Sequence, residues 1–173
     1  CASWPSHIKV SVNMSASQLA DPAVERVVAE AVAAAGLSPD RLQIELTETF
    51  LLSDSNALYT LSRLRASGVQ IALDDFGTGY SSMSYLHTFP FDKIKIDRCF
   101  MTQTDRCRHS YRMLEALMRF AAVLEIPTVV EGVETAQQLQ MIRSFGPCEI
   151  QGFLFGRPMS AAKVAAFAAE GLG

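Results

Sequence analysis

Polar residues, most of them acidic, recur in this chain in short groups, each at or near the end of an apolar, strand-like run. Asn13 ends HIKVSVN; Glu45, Thr47 and Glu48 close or follow LQIEL; Asp74 and Asp75 close VQIALD. Lys95 and Asp97 lie in KIKID, Glu131 ends TVVE with Glu134 just beyond, and Gln151 lies in EIQGF. In repeated β/α folds the C-terminal ends of the strands carry the chemistry, so these groups would share one rim. Several carboxylates on one partly dry mouth repel one another, and a divalent cation is the usual relief. Oxygen donors from Asp, Glu and Asn suit Mg²⁺ or Mn²⁺, whereas zinc prefers Cys and His. Asp74-Asp75 could put one carboxylate on each of two ions, or bridge them. Two ions about 3.5–4 Å apart are the usual device for in-line attack on a phosphodiester. Lys95, flanked by Ile94 and Ile96, could orient a water or offset phosphate charge. The residues alone point to metal-dependent phosphoester chemistry, with a set of structural caps as the alternative.

These groups need a scaffold of strands, and the hydrophobic pattern supplies it. Strands are expected at His7–Asn13, Leu42–Leu46, Val69–Asp74, Lys93–Asp97, Thr128–Glu131 and Glu149–Phe153. Helices fall between them. One opens at Asp21-Pro22, with Asp21 as N-cap, and stops at Gly36; another runs from about Ser55 to Ala66 and stops at Gly68. A short helix near Met83–Leu86 follows the turn Gly77–Ser82. The remaining helices are Ser110–Glu125, with Leu114, Leu117, Met118, Ala121 and Leu124 inside, Thr135–Phe145, and Ser160–Gly171 capped by Ser160. Six β/α units in 173 residues, with no linker, require a parallel sheet. A closed barrel of eight units needs about 250 residues. The alternatives are an open six-stranded sheet or a barrel lacking two units.

Composition narrows the class. Hydrophobic residues make up 49% and charged residues 19%, which excludes a disordered chain. A net charge of −3 argues against binding a nucleic-acid polymer through a basic face. No apolar run reaches the length of a membrane span and no signal-peptide pattern precedes the first strand, so a cytoplasmic protein is expected. Cys1, Cys99, Cys107 and Cys148 form no CxxC pair and read as reduced thiols. His7, His87 and His109 form no metal-binding pair. A first residue of Cys rather than Met reads as a piece of something longer.

Taken in order, SVNMSASQL, IELTET, DDFGTGYSS, KIKID, VVEGVET and QGFLFGRP resemble the EAL-type cyclic-di-GMP phosphodiesterase domain. The resemblance runs through essentially all of residues 1–173. It implies a TIM-like (β/α) barrel, with about six of its eight units present as the C-terminal three quarters of the domain. It implies hydrolysis of cyclic di-GMP to linear pGpG with two Mg²⁺ or Mn²⁺ ions, in bacterial second-messenger signalling. By motif, Asn13, Glu45 and Asp74 correspond to ligands of one ion. Asp74 would bridge, and Asp75 would hold the second ion with Glu131 on its side. Lys95 and Glu131 would be the catalytic pair, Lys95 lying beside the attacking water. Glu48 would support the loop after Asp75, and Glu134, Gln151 and Asp97 would contact substrate or stand behind the ligands. The resemblance further implies a homodimer near the DDFGTG loop and fusion to sensor or GGDEF-type domains. The family's Glu-Ala-Leu motif, which carries a metal-ligand glutamate, falls before the first of these strands, so a receptor that binds without cleaving, or a silent fold, is the alternative function.

Several local matches are decoys. Glu115-Ala116-Leu117 spells the family's name but lies mid-helix, where Glu115 should pair with Arg119 at i+4. Asp75-Phe76-Gly77 has no kinase Gly-rich loop or HRD sequence with it, and Gly77-Thr78-Gly79 lacks the Lys-Ser/Thr of a phosphate-binding loop. Arg157-Pro158 reads first as a turn, with a substrate contact as the lesser alternative.

Overall fold

The computed structural model describes residues 1–47, 57–78, 86, 88–102 and 108–169. They belong to two compact units, one drawn from Cys1–Leu46, Ser53–Ile71 and Pro158–Gly173, the other from Thr47–Leu52 and Ala72–Arg157.

In the first unit, β1 (Val10–Asn13) pairs in parallel with β2 (Leu42–Thr47). β1 starts three residues later than the sequence pattern implies, because the preceding backbone has other partners. Ile8 N–H bonds to the Pro5 carbonyl, and the Ile8 carbonyl accepts from Arg41 Nε at 2.9 Å. The buried Arg41 also donates to the carbonyls of Cys1, Trp4 and Pro5, so one guanidinium pins the whole leading segment. α1 (Ala16–Leu19) is an addition to the expected elements, and Ser15 and Gln18 close it with a capping box.

α2 (Val24–Ala34) has Ala23, not Asp21, at its N-cap; Asp21 instead accepts from Ala23 N–H at 2.8 Å in the turn before it. Gly36 stops α2 in the left-handed conformation, with Leu37 N–H returning to the Val32 carbonyl and Gly36 N–H to Ala33. A 3-10 turn at Pro39–Arg41 leads into β2, and α3 (Ala57–Ala66) buries Ala57, Leu61 and Leu64 on one face. α7 (Ala161–Ala169) completes the unit.

β3 (Gln70–Phe76) begins in the first unit, and from Ala72 it belongs to the second. There it pairs in parallel with β4 (Lys93–Ile96), β4 with β5 (Thr128–Val130), and β5 with β6 (Glu149–Ile150). Ile71, Ala72 and Leu73 of β3, Ile94 and Ile96 of β4, and Val129 and Val130 of β5 are buried in the core. α4 (Cys99–Thr102) was not expected; α5 (Arg108–Val123) and α6 (Ala136–Arg143) were. Leu114, Met118 and Ala121 are the buried stripe of α5. Leu124 lies past the helix end and is part-exposed, because Glu125 turns the chain through a positive φ of 56°. Thr135 and Gln138 cap α6 reciprocally. β6 has two residues instead of the expected five, since after Gln151 N–H bonds to Val130 of β5, the Gln151 carbonyl and Leu154 N–H bond to Val133 in the loop that follows. The short helix expected near Met83–Leu86 lies almost wholly outside the described residues. No helix among the described residues is long and apolar enough to cross a membrane.

Candidate functional site

The second unit builds its polar cluster around an irregularity in β3. Leu73 lies opposite Ile94 and Phe76 opposite Ile96, so β3 takes three residue steps where β4 takes two. The extra residue falls at Asp74-Asp75. Asp75 adopts φ +55°, a left-handed conformation that Asp tolerates better than most residues. In a regular strand these neighbours would face opposite sides; a bulge re-aims them. The bulge is closed by Asp75 N–H on Asp74 Oδ1 at 3.0 Å, and by Thr78, whose N–H and Oγ1 both donate to the Asp75 carbonyl.

Across from the bulge, Lys95 is 5% exposed, and its Nζ lies 3.0 Å from Asp74 Oδ1 and 2.7 Å from Glu131 Oε1. The two carboxylate side chains are themselves only 13% and 14% exposed, so this is a charge-assisted triad in largely dry surroundings. Glu131 is held there because its N–H continues the ladder to the Ile96 carbonyl at 3.0 Å. Burial, then the negative charges of Asp74 and Asp97, push the Asp75 carboxyl above its ordinary range, while Lys95 opposes them. Asp97 behaves in the opposite way. Burial pushes it up, but hydrogen bonds from Cys99, with a backbone hydrogen bond from Arg98 and the Arg98 charge, together outweigh burial and hold it below the usual range. Its Oδ1 accepts from Cys99 N–H at 2.8 Å and so caps α4, a structural task in addition to its charge on Asp75. Burial, reinforced by Asp97, pushes the Cys99 thiol up to about 11.

The loops after β5 and β6 are zipped backbone to backbone. Gln151 N–H bonds to the Val130 carbonyl, Val133 N–H to the Gln151 carbonyl, and Leu154 N–H to the Val133 carbonyl. A Cβ on Gly152 would stand 2.6 Å from the Val133 carbonyl carbon and closer still to its oxygen. This interlock fixes the backbones of Glu134 and Gln151, and both side chains are exposed. Arg157 stacks over the Phe153 ring at 4.6 Å. Glu115 pairs with Arg119 at 2.7 Å, the helical i,i+4 pair expected of a decoy. Glu48 lies outside the described residues.

In the first unit, Asn13, at the end of β1, is the register partner of Glu45 in β2. Sequence reasoning missed a third residue here. Gln43, buried at 4% exposure, donates through Nε2 to Ser11 Oγ at 3.0 Å and to Glu45 Oε1 at 3.2 Å. Its signal was the i,i+2 spacing in LQIEL, which puts residues 43 and 45 on one face of the strand.

Among the described residues no three His, Cys, Asp or Glu side chains are grouped closely enough to hold a metal as they stand. The donor chemistry nevertheless fits a hard divalent cation: Asp74, Asp75 and Glu131 offer only oxygens, and the burial and negative charge that raise the Asp75 carboxyl would be offset by a cation.

The family profile of the EAL domain matches residues 1–158. An uncharacterised signalling protein of Caulobacter vibrioides is 46% identical over 158 residues, 91% of this chain and 20% of that protein. The cyclic di-GMP phosphodiesterase NbdA of Pseudomonas aeruginosa is 38% identical over 162 residues, 92% of this chain and 21% of that protein. This chain therefore spans about a fifth to a quarter of the length of most of the curated relatives it matches. Among solved structures, the EAL domain of Mycobacterium smegmatis DcpA superposes with a TM-score of 0.88 at 32% identity, covering 95% of this chain and 74% of that one. The PaMucR phosphodiesterase in complex with c-di-GMP gives 0.85 at 37%, covering 90% and 64%. Klebsiella pneumoniae BlrP1 with manganese and cy-diGMP gives 0.79 at 34%, covering 87% and 39%.

Proposed function

This chain belongs to the EAL domain family and has its α/β, TIM-like barrel fold, and from that premise we propose that the parent domain hydrolyses cyclic di-GMP to linear pGpG with Mg²⁺ or Mn²⁺, to which the Glu-Ala-Leu motif would add a further metal-ligand glutamate. The observation that carries the reading is the Asp74–Lys95–Glu131 triad, with Asp75 in the bulge beside it. Relatives named as cyclic di-GMP phosphodiesterases support the substrate, and a neighbour containing manganese and cy-diGMP supports the metal.

Asp74, Asp75 and Glu131 are the proposed metal donors of the second unit, and Asn13 and Glu45 those of the first. Two divalent ions, when bound, would lower the pKa of water and neutralise phosphodiester charge. The rest falls to side chains. Lys95, fixed by two carboxylates, orients the attacking water and offsets charge at the phosphate. Water adds to phosphorus and one P–O3′ bond breaks, leaving a 5′-phosphate on a linear dinucleotide. Glu131 holds Lys95 in place, Glu134 and Gln151 present polar side chains to the substrate, and Glu48 supports the loop after Asp75. Homodimerisation near the DDFGTG loop, fusion to sensor or GGDEF-type domains and action in the cytoplasm belong to the same proposal. A relative named as a bifunctional diguanylate cyclase and phosphodiesterase supports the fusion.

The test is incubation of the parent domain with cyclic di-GMP and Mn²⁺, followed by separation of the nucleotides. Linear pGpG that disappears with Asp74→Ala supports the reading. Tight binding without product would mark a receptor, and neither binding nor product would refute the proposal.

A further inference from the structure

The first unit carries a buried amide for which the proposed activity gives no role. Ser11 faces Gln43 and Asn13 faces Glu45 on successive same-face rungs of the β1–β2 ladder, so Gln43 sits one rung from Glu45 on the same face of β2. Gln43 and Glu45 are 4% and 7% exposed. Gln43 Nε2 donates to Ser11 Oγ at 3.0 Å and to Glu45 Oε1 at 3.2 Å. A buried carboxylate needs donors, because an unmet acceptor there forfeits its hydration without recompense. An apolar residue at 43 would remove this donor from the Glu45 carboxylate. A Glu would add a second negative charge in hydrogen-bond range of the first. An amide is the side chain of this length that donates without bringing charge.

We propose that Gln43 is a positioning residue for Glu45: its amide, anchored on Ser11, fixes the Glu45 carboxylate as a preorganised oxygen donor for a divalent cation. The inference rests on the reading of Glu45 as a metal ligand. Partners behind a ligand typically contribute about 10–100-fold in metal affinity, because they hold its orientation before the ion arrives. Gln43 acts through the carboxylate and need not touch substrate.

The experiment is Mn²⁺ binding to the 173-residue chain, followed by the electron paramagnetic resonance signal of free Mn²⁺, with thermal melting of each variant in chelator. Gln43→Met keeps the volume and loses the donor. Its Mn²⁺ affinity should fall by about 10–100-fold. Ser11→Ala removes only the anchor, at an exposed position where folding is not at stake, and should give a smaller loss in the same direction. Glu45→Gln sets the full effect, and adding Gln43→Met to it should cost no further affinity. Mn²⁺ bound by both Gln43→Met and Ser11→Ala as tightly as by wild type would overturn the inference. Should Gln43→Met fail to fold, wild-type affinity in Ser11→Ala would suffice to overturn it. Wild-type chain that binds no Mn²⁺, or Glu45→Gln that binds it normally, would instead sink the ligand assignment itself.

Discussion

Replacing Gly132 by Ala separates backbone strain from steric collision at the residue that follows Glu131. Gly132 has φ +74°, and an added Cβ would stand 3.1 Å from Arg98 Cα and closer to Arg98 Cβ. The left-handed conformation costs a non-glycine residue about 1–2 kcal/mol. Forcing carbon into a filled space costs about 1–3 kcal/mol more. Gly132→Ala should therefore lose about 2–5 kcal/mol, or about 5–15 °C in melting temperature for a chain of this size. Two other glycines are the controls. Gly36 has φ +61° with nothing within 4 Å of where a methyl would stand, so Gly36→Ala should show only the strain, about 1–2 kcal/mol. Gly152 has no positive φ, yet its Cβ would meet the Val133 backbone, so Gly152→Ala should show only the collision. Melts followed by circular dichroism give the three values. If Gly132→Ala loses no more than Gly36→Ala, the Arg98 contact is not tight and the backbone after Glu131 is not rigidly held.

Three further outcomes follow from the electrostatics. Asp75 is raised, so its ionised form weakens the fold above the ordinary carboxylate range and the penalty fades as pH falls through the raised value. Asp75→Asn should raise the melting temperature at about pH 7 in chelator and weaken Mn²⁺ binding; a lower melting temperature would contradict the cause assigned to the shift. Asp97 is lowered, so its contribution is present above its unfolded pKa and lost as pH falls through the folded value. Asp97→Ala should lose about 0.5–2 kcal/mol near neutral pH, with the difference from wild type vanishing in strong acid; a pH-independent difference in urea titrations would refute the cap. Cys99, with its thiol at about 11, should resist iodoacetamide at about pH 8 in the folded chain. Peptide mapping that finds it alkylated as fast as in urea would show the surroundings to be wrong.

The alternation of strands with helices was legible because each apolar run contains or is followed by a polar residue and each long helix has an amphipathic stripe. Asp74, Lys95 and Glu131 were legible for the same reason, each sitting at or near the end of an apolar run. What stayed hidden depends on contacts between distant residues or on very short elements. The bulge at Asp74-Asp75 emerges only in the register of β3 against β4. α4 is four residues long, too short for helical periodicity, and its signal was the capping carboxylate of Asp97. β6 ended early because Gln151 and Val133 pair outside the strand, a close approach that Gly152 permits. Gln43 is marked in the sequence only by its i,i+2 spacing to Glu45, and nothing in the sequence marks Arg41. Only the structure shows Arg41 buried under the backbone carbonyls of Cys1, Trp4, Pro5 and Ile8.

The central claim is that the triad of Asp74, Lys95 and Glu131 performs phosphodiester chemistry and is not merely a buried ion cluster. The most direct measurement is the rate of linear pGpG formation from cyclic di-GMP by Lys95→Met and wild type, with Mn²⁺ and with folding checked by circular dichroism. Turnover should fall by about 10²–10⁴-fold in the folded variant, the usual contribution of a positioned proton-handling group. Turnover within a few-fold of wild type would contradict the claim.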